Sequence, residues 1–149
     1  MVGALVVTHG DVARELVRAA LRIMGERDSL QAVCIEWDED VAGARRKILA
    51  AVEKVDRGAG VLILTDMFGG TASNLSLTCL LPGRVEVVTG VNLSMLLKLG
   101  SPAAASMSLT DLAEVVCGRG RESIQIPSRA LKPQTPAGPG RQGQGETPR

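Results

Sequence analysis

The chain holds one histidine, His9, which follows directly on the apolar run Gly3-Ala4-Leu5-Val6-Val7-Thr8. A second apolar run, Val61-Leu62-Ile63-Leu64-Thr65, ends on a carboxylate, Asp66. An imidazole whose Nδ1 hydrogen is accepted by a carboxylate has a fixed tautomer, and its Nε2 lone pair is left free as a nucleophile. Each residue alone has an ordinary explanation, a structural histidine at a strand end or an aspartate that forms a turn. The chemical reading rests on the pair. The loop that follows, Met67-Phe68-Gly69-Gly70-Thr71, suits a phosphoryl group. Gly69 and Gly70 let the backbone approach a tetrahedral anion, and free amides at the start of a following helix face the same space. Thr71 adds a hydroxyl donor or a helix cap. Gly10 and Asp11 open another helix beside His9, a second place for an anion.

Motifs that are missing narrow the chemistry. No G-x-x-x-x-G-K-[ST] loop is present for nucleotide phosphates, and no G-x-G-x-x-G follows the first apolar run. One histidine and no close cysteine pair argue against a zinc site, so neither a metal nor a cofactor is expected. Phosphoryl transfer without a nucleotide or an evident metal site leaves relay from one protein to another.

To serve one site, His9 and Asp66 must be brought together by the elements that carry them. The apolar runs at 3–8, 32–36, 61–65 and 85–89 read as strands covered on both faces. Between them lie amphipathic stretches: Val12 to Ile23 closed by Gly25, Ala44 to Val55 capped from Asp38 or Asp40, and Ala72 to Leu80. Asn92 can cap a short helix to Leu99, and Ser108-Leu109-Thr110-Asp111 is a capping box for a helix to about Cys117. Four alternations of strand and helix predict an α/β fold with a doubly wound, mainly parallel four-stranded sheet and helices on both faces. In the order 2-1-3-4 the direction reverses between strands one and three, where ligands collect at the carboxyl ends. His9 and Asp66 stand at those two ends. Glu122-Ser123-Ile124-Gln125-Ile126 alternates polar and apolar, which predicts a C-terminal antiparallel edge strand.

The chain of 149 residues suits one core, carries a formal charge of +1, and is only 1% aromatic. That composition excludes the basic surface and stacking platforms of nucleic-acid binders. No apolar run approaches a membrane span, so no direct membrane insertion is expected. Three scattered cysteines, Cys34, Cys79 and Cys117, fit a reducing compartment, the cytoplasm. From Pro127 onward the segment holds five of the seven prolines, and is read as a flexible tail over 127–149 beyond a domain at 1–126.

Three motifs, Val6-Val7-Thr8-His9-Gly10, Leu64-Thr65-Asp66-Met67-Phe68-Gly69-Gly70-Thr71 with Asn74, and Gly90-Val91-Asn92-Leu93-Ser94-Met95-Leu96, together resemble the mannose-family IIA component of the bacterial phosphoenolpyruvate-dependent sugar phosphotransferase system. The resemblance runs in order to about Ile126. It implies that His9 is phosphorylated on Nε2 by the phosphocarrier HPr and passes the group to a IIB component, with Asp66 orienting it. Gly10, Gly69, Gly70 and Thr71 would bind phosphate, and Met67, Phe68, Asn92 and Leu93 would lie at the docking surface; the alternative for Met67, Phe68 and Leu93 is that they anchor the loops to the core. It also implies a homodimer that exchanges the last strand. Gly69-Gly70-Thr71-Ala72 departs from the commoner Gly-Gly-Ser-Pro; the hydroxyl is kept and only preorganisation is lost. With no IIB domain following in the chain, IIB and the membrane components are expected to be separate or missing. A regulatory phosphorelay without sugar transport, or the phosphodonor of a dihydroxyacetone-kinase system, is the alternative. The latter usually lacks the Phe-Gly-Gly-Thr loop.

Overall fold

Strand β1 (Gly3–His9) is the middle of the molecule, flanked by β2 (Leu30–Ile35) on one side and by β3 (Val61–Thr65) on the other. The computed structural model describes residues 1–130. With β4 (Val85–Thr89) beside β3, all four strands run parallel in the order β2-β1-β3-β4. The order predicted from the sequence is therefore the observed one.

The continuous apolar runs arise because both sheet faces are covered. Ala4 and Val6 of β1, with Leu62 and Leu64 of β3, belong to a core shared with helices α1 (Val12–Met24), α4 (Leu93–Leu99) and α5 (Leu109–Glu122). Their neighbours Leu5, Val7, Val61 and Ile63 face the opposite way, toward α2 (Val41–Val55) and α3 (Thr71–Leu77). Leu5, Val7, Leu62 and Ile63 are completely inaccessible. Burial of each such side chain contributes about 1.5–3 kcal/mol, so the two halves of the core together hold the strand ends in fixed positions. A glycine is required where β1 begins: a Cβ on Gly3 would sit 2.5 Å from the Val55 carbonyl oxygen at the end of α2.

The caps follow the sequence closely. Asp40 accepts the Gly43 N–H at 2.8 Å, Asn92 the Met95 N–H at 3.1 Å, and Ser108 the Asp111 N–H at 3.2 Å. Gly25 ends α1 with a φ of 84°.

The C-terminal part departs from expectation in two places. Helix α5 does not stop near Cys117 but continues to Glu122, and 123–126 are irregular, so the predicted edge strand is not formed within the described chain. Gly118 and Gly120 carry little helix propensity, but packing overrides it. A Cβ on Gly120 would lie 2.7 Å from Met95 Sδ, so the glycine is what lets α5 close onto α4. In this chain 123–126 pair with no strand although β4 has a free edge, and Ile124 and Ile126 are left exposed. The tail expected from Pro127 begins instead with a helical turn, α6 (Pro127–Ala130), with proline at its first position. The rest of the proposed tail lies outside the described residues.

Candidate active site

His9 is the last residue of β1 and Asp66 the first residue after β3. The register pairs Val7 with Thr65, which sets the Asp66 side chain next to His9 at the point where the strand order reverses. His9 Nδ1 and Asp66 Oδ2 are 2.7 Å apart. The same carboxylate oxygen accepts the His9 main-chain N–H at 3.0 Å, and Oδ1 accepts the Met67 N–H at 2.9 Å. Burial pushes the Asp66 carboxyl up. The bonds donated by the His9 main chain, the His9 ring and the Met67 amide outweigh burial and hold it below the usual aspartate value. An ionised carboxylate accepts only, so Nδ1 carries a hydrogen toward it, and in the neutral ring the Nε2 lone pair is free. Both side chains are about one-fifth exposed, at 21% and 22%, enough for a reacting group to reach them and little enough to hold them still.

The start of the next element depends on the same strand end. Thr8 is fully buried, and its Oγ1 accepts the Ala13 N–H at 2.7 Å, which ties the first turn of α1 to β1. Gly10 has a φ of 51°, a region that glycine adopts without penalty, and so turns the chain from strand to helix. Its N–H already donates to the Ile35 carbonyl at 2.9 Å, so Gly10 can serve an anion by close approach and not by its amide.

Gly69 and Gly70 have different tasks. Gly69 turns the loop at φ 83° with nothing near its missing side chain. Gly70 has an ordinary φ of −77°, but a Cβ there would lie 2.8 Å from His9 Cε1 and 3.5 Å from Nε2. Gly70 therefore makes room for the reactive edge of the ring. Thr71, the next residue, opens α3 and is exposed, and the first amides of a helix have no intrahelical acceptor. The Asn74 side chain donates to the Gly69 carbonyl at 3.4 Å and braces the loop.

Met67 and Phe68 are exposed, at 59% and 75%, and do not anchor the loop to the core. Leu93 is different: it is half-buried against the core. Asn92 caps α4 and donates from its Nδ2 to the Gly120 carbonyl at 3.3 Å, which accounts for it structurally. One neighbour of His9 was not foreseen. Trp37 stacks on the imidazole, with ring centroids 5.5 Å apart and planes inclined by 20°. Its position follows from the β1–β2 register, in which His9 pairs with Ile35, two residues before Trp37.

Residues 3–117 match the model of the family described as the phosphotransferase system (PTS) fructose IIA component. The chain belongs to this family. Its mannose-type IIA relatives include the PTS fructose-specific EIIA component of Bacillus subtilis, 29% identical over 89% of this chain and 90% of that protein. The PTS mannose-specific EIIAB component of Escherichia coli strain K12 is 27% identical over 91% of this chain, but that match spans only 43% of the longer protein. Among solved structures, the PTS IIA protein associated with the fucose utilization operon of Streptococcus pneumoniae superposes with a TM-score of 0.77 at 25% identity. It covers 87% of this chain and 96% of its own. EIIA from Streptococcus agalactiae shares the fold, with a TM-score of 0.75 at 23% identity over 87% of this chain and 99% of its own. The resemblance read from the three motifs is thus the family shown, and this IIA chain has the family's sheet order. Among the described residues no helix is long and apolar enough to cross a membrane.

Proposed function

We propose that this IIA protein is a phosphocarrier in which His9 Nε2 accepts a phosphoryl group from HPr and passes it to a IIB component. The observation that carries this reading is the 2.7 Å contact between His9 Nδ1 and Asp66 Oδ2, which directs the ring's other nitrogen to the reactive side. The Nε2 lone pair forms the bond to phosphorus as the bond to the donor's leaving atom breaks, and the leaving atom takes the electron pair. The ring then carries positive charge, which the Asp66 carboxylate balances through the Nδ1 hydrogen. Transfer onward reverses these steps. Such transitions are loose, so catalysis is positioning and electrostatics, and a ring bonded at Nδ1 and stacked on one face supplies the first. In this reading Gly69, Gly70 and Thr71 hold phosphoryl oxygens, and the exposure of Met67 and Phe68 supports their meeting both partner proteins in turn.

In this reading the protein works in the cytoplasm and as a homodimer. The exposed Ile124 and Ile126 would lie along a second copy, beside the free edge of β4. The relatives named for fructose, mannose and sorbose support a role in sugar uptake. The test uses labelled phosphoenolpyruvate with enzyme I and HPr. Wild type takes up label that maps to His9 and His9→Ala takes up none; label on any other residue refutes the reading.

A further inference from the structure

Trp37 is the only tryptophan of the chain, and it is 83% exposed. A side chain of this kind normally contributes its large apolar area to a core. Here only its inner face is used, and that face lies on the His9 ring, nearly parallel to it. The backbone at Gly10 is part of the same arrangement: a Cβ there would come within 3.6 Å of Trp37 Nε1. The geometry points to Trp37 as a positioning residue for phosphoryl transfer at His9, a role that rests on His9 being the carrier.

The argument concerns which motions of the ring remain. Asp66 holds His9 at Nδ1, and Gly70 leaves just enough space along the Cε1 edge, where a Cβ would lie 2.8 Å from the ring. Neither prevents the ring plane from tilting about the hydrogen bond to Asp66. A tilt carries the Nε2 lone pair, which lies in that plane, off the line to an approaching phosphorus. An indole stacked on one face resists the tilt. Being parallel to the imidazole, it leaves the in-plane approach to Nε2 open. It therefore restricts the one remaining freedom without covering the nucleophile, and lowers the cost of reaching the in-line geometry.

The test uses the full chain, with phosphorylated HPr as donor and a single-turnover assay. Aromatic pairs are worth enough to predict that Trp37→Ala slows transfer at saturating donor by about three- to tenfold, with the half-saturating concentration changed by less than about twofold. Trp37→Phe, which retains a stacking face, stays within about twofold of wild type. A readout that needs no partner is the proton spectrum of the single histidine. The indole ring current shifts the His9 ring protons upfield in wild type, and they move downfield in Trp37→Ala. A variant impaired only in half-saturation would make Trp37 a docking contact and overturn the proposal, as would ring signals identical in wild type and Trp37→Ala. Label taken up by His9→Ala would instead refute the carrier reading, and the proton spectrum distinguishes the two failures.

Discussion

Gly69 and Gly70 are neighbours of the same type, and substitution by alanine separates their roles. At Gly70 the backbone has φ −77° and ψ 166°, open to any residue, so alanine meets no backbone strain. Its Cβ would stand 2.8 Å from His9 Cε1, whereas ordinary contact begins at 3.4 Å; the ring must retreat by about 0.6 Å. Met67 Cγ, 3.3 Å away on another side, leaves the new methyl little room to escape. The ring moves against its 2.7 Å bond to Asp66 and its stack on Trp37. A misplacement near 1 Å costs on the order of a hundredfold, so about 0.6 Å predicts a ten- to twentyfold slower transfer. Stability changes less. Alanine in place of glycine at a helix N-cap costs about 1 kcal/mol or less, a fall of about 2–4 °C in Tm. Gly69→Ala is the converse case. With φ 83° and open space around it, it incurs about 1–2 kcal/mol of backbone strain but never touches the ring. The assay is single-turnover transfer from phosphorylated HPr, beside thermal melts of both variants. A folded Gly70→Ala protein that transfers at the wild-type rate, or a Gly69→Ala protein slowed as much as Gly70→Ala, would refute the reasoning.

Asp66→Asn keeps the shape but offers a weaker acceptor to the Nδ1 hydrogen, and transfer falls by roughly 10²–10⁴ while circular dichroism is unchanged. Asp66 has a folded-state pKa below its unfolded value, so its stabilising effect is full above about pH 4 and is lost as pH falls through the folded value. Melts from pH 7 down to pH 2.5 should therefore show the wild-type Tm falling more steeply than that of Asp66→Asn below about pH 4; parallel curves would contradict this. Asn92→Ala removes the cap on α4 and the bond to the Gly120 carbonyl, for a loss of about 1–2 kcal/mol in urea unfolding. Gly120→Ala drives a methyl against Met95 and costs about 1–3 kcal/mol by the same measurement, with transfer at His9 nearly unaffected.

Local signals in the sequence carried most of the fold. The two-sided burial of β1 and β3 is what made their runs continuously apolar, and the caps at Asp40, Asn92 and Ser108 are short-range hydrogen bonds between residues three apart. The pairing of His9 with Asp66 was legible because sheet order alone brings those two strand ends together. What was not legible depends on distant packing. Gly118 and Gly120 look like a helix terminus until Met95 is placed against them. The alternation at 122–126 reads as a strand, but pairing needs a partner edge that local pattern does not supply. Trp37 carries no motif at all; a lone tryptophan in a chain with so few aromatics was the only clue, and the β1–β2 register was needed to interpret it. Leu93 could be read either as a docking residue or as an anchor to the core; as the first residue of α4 it is half-buried against the core, a contact that only the packed helix reveals.

The carboxylate at the site is gripped by two peptide amides, those of His9 and Met67, independently of the imidazole. If His9 is the carrier, loading or unloading the ring removes at most one of its three attachments, and the oxygen that faces the ring has no reason to swing away. A carrier built like this needs no resetting step between donor and acceptor. On the carrier reading each would find the carboxylate in the same place, and the direction of net flow would be set by their relative phosphoryl potentials and not by the carrier.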